Sequence, residues 1–62
     1  MTVADFIGNV APFTYIRVVQ DKDGTDVIIY DSKQEHDIAP DIMMHSVMYV
    51  GCTGGDTIVL FV

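Results

Sequence analysis

Two β-rich runs closed by a four-residue turn cluster constrain this chain more than any other stretch: FTYIRVVQ, DKDG and TDVIIY, residues 13–30. Thr14, Tyr15, Ile16, Val18 and Val19 in the first run, and Thr25, Val27, Ile28, Ile29 and Tyr30 in the second, are types that suit a pleated, half-buried surface. Asp21 and Asp23 can bond the local backbone, and Gly24 tolerates positive φ. The pattern predicts a β-hairpin. Neither strand has a polar face. Phe13, Tyr15, Arg17 and Val19 share one side, and Thr14, Ile16, Val18 and Gln20 the other. In the second strand Val27 and Ile29 oppose Ile28 and Tyr30. A sheet with one solvated face alternates apolar and polar residues. Both faces are therefore expected to be covered, by curling into a barrel or by another chain.

The rest of the chain can be organised around that hairpin. Residues 2–10 predict a short helix. Thr2 caps it and Asp5 completes an approximate capping box. Val3, Phe6, Ile7 and Val10 form one apolar stripe, and Pro12 ends the element. An isolated helix this short does not persist in water, so the stripe must dock on the sheet. Residues 33–37 read as charged loop, and Pro40 can open a helical turn through Ile42, Met43 and Met44. A third strand is expected at 47–52, a glycine turn at Gly54 and Gly55, and a fourth strand at 57–62. A run apolar on both faces is expected to be paired on both sides. The fourth strand should thus pair with the third and lie beside the first hairpin. The predicted fold is one α+β domain, residues 1–62: an N-terminal helix packed on a bent four-stranded antiparallel sheet of two hairpins, with a small open barrel as the alternative.

A 62-residue chain buries only about 60% of its unfolded surface. Its single core supplies about 3–5 kcal/mol unless something staples it. Cys52 is the only cysteine, which excludes an internal disulfide, and no Cys/His set has zinc spacing. Oligomerisation is the staple that remains. The longest uninterrupted apolar run, residues 58–62, is too short to span a membrane. The opening MTVADFIGNVAPF lacks the basic region of a signal peptide. These features predict a cytoplasmic protein that starts at its own Met1. The net charge is −6. Asp21, Asp23, Asp26, Asp31, Glu35, Asp37 and Asp41 crowd the central third against Lys22 and Lys33. With Arg17 as the remaining cation, no basic patch for nucleic acid or an anionic membrane can form.

Thr2-Val3 with Asp5-Phe6, the run Phe13-Thr14-Tyr15-Ile16, Ile38 to Pro40 with Asp41-Ile42, and Asp56-Thr57-Ile58-Val59 carry a resemblance across most of the chain. By these positions it resembles a loose group of short uncharacterised proteins of low-GC Gram-positive bacteria and their phages and mobile elements. The resemblance implies a mobile-element origin. It brings no activity, ligand or site.

Several stretches test as sites. DKDGTD fails as a calcium loop, because with Gly24 at the sixth position the first and twelfth ligand positions fall on Val19 and Tyr30. His36, Asp37, Asp41 and His45, with Glu35 nearby, offer ligand types for a transition metal. Their spacing requires the tertiary fold to gather them. The Gly-rich run at 51–56 lacks the Lys-Ser/Thr of a phosphate loop and joins strand to strand. Cys52 would be a nucleophile only if His36 or His45 came within hydrogen-bond reach. Met43, Met44, Met48, Tyr49 and Tyr15 form the candidate partner surface, since methionine adapts to irregular partners. The same residues would fill gaps in a small core. No acid/base pair, paired nucleophile or metal set is evident, so no enzyme and no cofactor is expected. The leading expectation is a self-associating, dimeric protein–protein interaction module. One alternative is an acidic nucleic-acid mimic that inhibits a basic nucleic-acid-binding protein. Another is weak metal binding.

Overall fold

A computed structural model describes residues 1–10 and 14–62. The predicted helix stop at Pro12 and the first strand's start at Phe13 lie outside the described residues. The described elements are α1 (Val3–Ile7), β1 (Tyr15–Lys22), β2 (Thr25–Asp31), α2 (Pro40–Met43), β3 (Tyr49–Thr53) and β4 (Thr57–Phe61). Both predicted hairpins form, and the α+β class stands.

Helix α1 begins as its sequence dictates. Thr2 Oγ1 accepts from the Asp5 amide at 3.2 Å, and Asp5 Oδ2 accepts from the Thr2 amide at 3.1 Å, a complete capping box. It is shorter than the nine residues predicted. Asn9 Nδ2 donates to the Asp5 carbonyl at 2.7 Å, and the Asn9 and Val10 amides bond three residues back, which tightens the last turn. The stripe survives this early stop. Val3 is fully buried, and Phe6, Ile7 and Val10 pack against the same cluster. Helix α2 starts with Pro40 at its first position, as expected.

The tip of the first hairpin is a two-residue turn. Asp23 has φ 55° and Gly24 φ 82°, the pair of positive values that matches strand twist. A Cβ on Gly24 would meet no atom within 4 Å, so only backbone strain opposes a side chain there. Gly24→Ala is expected to cost about 1–2 kcal/mol. That lowers the thermal midpoint by about 4–8 °C per kcal/mol, measured by circular dichroism.

The sheet order is β2-β1-β4-β3. Strand β4 is paired on both sides, as its two apolar faces predicted. The expectation of a wholly antiparallel sheet is overturned, because β1 and β4 run parallel in register from Tyr15↔Thr57 to Val19↔Phe61. The β1–β2 and β3–β4 pairs are antiparallel. It follows that β2 and β3 point the same way, and residues 32–48 must carry the chain back along the sheet. That crossover holds α2, the usual solution for strands joined this way. A hairpin signal governs only its own two strands, so nothing local declares how two hairpins meet.

The sheet runs between two edge strands, β2 and β3, and is not closed. Ile16, Val18, Tyr30 and Leu60 point to one face, where they form the core with Val3. Both helices supply side chains to that cluster, so both lie on that face. Strand alternation puts Arg17, Val19, Val59 and Phe61 on the opposite face. The expectation that this second face is covered by curling therefore fails. Val19 and Val59 are nevertheless buried, flanked by larger side chains standing on the same surface.

The N-terminus is held by a pairing that the sequence did not announce. The Val3 amide donates to the His45 carbonyl at 2.9 Å, the Val47 amide to the Met1 carbonyl at 2.8 Å, and Thr2 bridges Ser46. These bonds close the segment after α2 onto the start of α1.

Candidate functional site

Each sheet edge is built differently. Strand β2 carries Asp26 and Asp31, and its register with β1 shifts between Val18 and Val19. Edge charges and bulges both discourage pairing with another chain. Strand β3 has neither device: Tyr49, Val50, Gly51, Cys52 and Thr53 are uncharged. Val50 pairs with the fully buried Leu60. On this edge strand Val50 is 46% exposed. Its neighbours Met48 and Tyr49 are 75% and 63% exposed, and Met44 is 78% exposed.

The second face owes its shape to a missing side chain. A Cβ on Gly51 would meet Cε2 of Phe61 at 3.4 Å, so the Phe61 ring lies over the Gly51 backbone. The same ring stacks on Tyr49, with centroids 4.4 Å apart and planes at 15°. Stacked aromatic pairs add about 0.5–1.5 kcal/mol beyond their burial. At the other end of this face Lys33 Nζ lies 4.8 Å from the Tyr15 ring centroid and 3.3 Å from Asp56 Oδ2.

The candidate partner residues are therefore divided. Met44, Met48 and Tyr49 are exposed around β3. Met43 turns inward and packs against the core, so it leaves the candidate surface. Tyr15 is exposed, but it sits opposite Thr57, whereas Tyr49 sits opposite Phe61 at the far end of β4. Val50 and Phe61 were missed as surface residues. For Val50 the signal was the absence of charge from residue 47 to 55, whereas nothing comparable marked Phe61.

The acidic residues do not form one surface. Asp21, Asp23 and Asp26 surround the first hairpin tip. Asp31 lies five residues further along β2, about 17 Å away, with Glu35, Asp37 and Asp41 in the segment that follows. Asp31 Oδ2 is 3.4 Å from Arg17 Nε, an ion pair without hydrogen-bond geometry. Asp21 and Asp26 face each other across β1 and β2 and have no ion-pair partner among the described residues.

Two carboxyls titrate below their ordinary value of 3.8. The Thr2 backbone amide and then its hydroxyl lower Asp5. The Thr57 hydroxyl, at 3.0 Å, and then Lys33 lower Asp56. A carboxyl depressed by folding stabilises the native state above its unfolded pKa and loses that contribution as pH falls through the folded value. Both contributions should be intact at neutral pH and fade below about pH 4. Urea midpoints measured against pH should show this acid loss, and Asp5→Asn should flatten part of it. Burial raises the Tyr30 hydroxyl, which donates to the Glu35 carbonyl at 3.2 Å.

His36 is exposed in the loop, and His45 is half-buried after α2 with its carbonyl engaged by Val3. Among the described residues no group of three or more His, Cys, Asp or Glu could hold a metal ion. His36, Asp37, Asp41 and His45 are thus not gathered into a ligand set. Cys52 is a free, exposed thiol on β3. No described helix is long and apolar enough to cross a membrane. No family model matches the chain, and no curated protein or solved structure matches it either.

Proposed function

We propose that this chain is a small, non-enzymatic, cytoplasmic interaction module that self-associates through the edge of β3. The observation that carries this reading is the contrast between the two edges. One is guarded by Asp26, Asp31 and a register shift. The other is neutral and flanked by exposed Met44, Met48, Tyr49 and Val50. An unpaired strand edge adds a further strand through backbone hydrogen bonds, with side chains supplying the fit. In a symmetric pair each β3 meets its own copy, so the net charge of −6 stays away from the junction. A standard interface takes about 800 Å² per partner from a surface of 4279 Å². Five strand residues alone do not supply that area, and the methionines and Tyr49 must contribute. The resemblance to short mobile-element proteins is compatible with such a module and adds no activity to it.

The test is light scattering across a range of protein concentrations at low and high salt. Dimer is expected, and it should tighten with salt as repulsion between two acidic copies is screened. A strict monomer at millimolar concentration in both buffers would overturn the reading. The nucleic-acid-mimic alternative predicts the opposite trend, a heterologous complex that weakens with salt.

A further inference from the structure

A hollow of about 290 Å³ lies at the hairpin end of the second face. Val19, Tyr49 and Phe61 line it, and Asp21, Gly24 and Asp26 stand at the hairpin side. Its lining combines three features. The stacked pair of Tyr49 and Phe61 offers aromatic surface, and Tyr49 is well exposed. Gly24 has no side chain, so the rim is open at the tip. Asp21 and Asp26 are cross-strand partners, and like charges placed directly opposite each other oppose pairing.

The chain does not neutralise that pair itself. Arg17 is engaged with Asp31, and Lys33 with Asp56 and the Tyr15 ring. Lys22, by alternation, points to the other face from Asp21. A cation entering the hollow would relieve the repulsion and lay its apolar stem along aromatic surface. Lysine and arginine have that form: a methylene stem that packs and a charged head that reaches out. Met48, which also lines the hollow, and Ile28, exposed on β2 opposite Val19, offer contacts to the residues flanking such a side chain. A small free ammonium compound could not use them.

We propose that this hollow seats a lysine or arginine side chain carried on an extended segment of a protein partner. The hollow lies on one copy's sheet face and needs no second copy, but it shares Met48 and Tyr49 with the proposed β3 interface, so binding is measured at concentrations where the monomer predominates.

The experiment is an NMR titration of nitrogen-15-labelled protein with a blocked Val-Lys-Val-Lys-Val peptide. The matching glutamate peptide and n-butylammonium serve as comparison probes. Saturable shifts are expected at Val19, Asp21, Gly24, Asp26, Tyr49 and Phe61. The lysine peptide should bind at least tenfold more tightly than either comparison probe. Asp21→Asn with Asp26→Asn should weaken binding about tenfold while raising the thermal midpoint, since the cross-strand repulsion is gone. A purely structural role for these carboxylates would not pair weaker binding with higher stability. Asp37→Asn with Asp41→Asn makes the same change in net charge elsewhere and should leave binding within twofold. The proposal is overturned if the two double variants weaken binding equally, if the glutamate peptide or n-butylammonium binds as well as the lysine peptide, or if no saturable shifts appear at the hollow.

Discussion

Leu60→Ala is expected to leave the protein largely unfolded at 25 °C. Leu60 is fully buried in β4, paired with Val18 on one side and Val50 on the other. It faces the same cluster as Val3, Ile16 and Tyr30. Truncating a buried leucine costs about 2–5 kcal/mol, the spread depending on how far the site collapses. The whole domain has about 3–5 kcal/mol to lose. A centrally paired strand cannot move to fill the void without disturbing both neighbours, so the upper half of the range applies. Far-ultraviolet circular dichroism should show a coil-rich spectrum and no cooperative thermal transition. The comparison is Ile28→Ala, an exposed residue on β2, which should stay within about 1 kcal/mol of the parent. All variants need one fixed low concentration, because association would stabilise the folded form by mass action. A Leu60→Ala protein melting within a few degrees of the parent would show that this core is not what holds the sheet.

Val50→Lys is expected to abolish self-association at concentrations where the parent is dimeric, weakening it by at least tenfold. A lysine on a strand edge must lose its water when another strand docks, and natural edges use it for that purpose. Val50 is half-exposed on the edge strand β3, so the fold should tolerate the change. The direction is diagnostic. Lysine reduces the net charge from −6 and weakens the mutual repulsion of two copies, so any effect of overall charge would strengthen the dimer. Light scattering therefore separates the two causes. A tighter or unchanged dimer places the contact somewhere other than β3.

Sequence patterning was most informative where the deciding groups lie within a few residues of each other. The capping box needs only Thr2 and Asp5. The first turn needs Asp23 and Gly24, whose positive φ values follow from a two-residue reversal between twisted strands. Pro40 opens α2 because its missing amide costs nothing at a first helical position. The stripe of Val3, Phe6, Ile7 and Val10 was legible although the helix stops at Ile7, since a tight final turn still presents Val10 inward.

The same reasoning misled where apolar residues fell on both faces of the strands. It called for curling into an open barrel or for a covering chain. In the folded protein Val19 and Val59 are shielded within their own sheet face, with Phe61 lying over Gly51 and stacking on Tyr49. A period-two pattern records which residues share a face and not what stands on that face. Met43 and Met44 show the limit most plainly. They are adjacent and chemically identical, yet one packs on the core and the other is exposed, because the turn after α2 splits them.

By itself, then, the sequence determined the two hairpins, the helix starts, the apolar stripe and an acidity that excludes a basic nucleic-acid surface, all through neighbours on the chain. The parallel joint of β1 with β4, the pairing of residues 1–3 with 45–47, the guarded and bare edges and the hollow beside Asp21 and Asp26 were decided only by the tertiary structure. Each depends on contacts between segments separated by 20 to 40 or more positions, where packing across the whole sheet, and no local backbone preference, selects the partner.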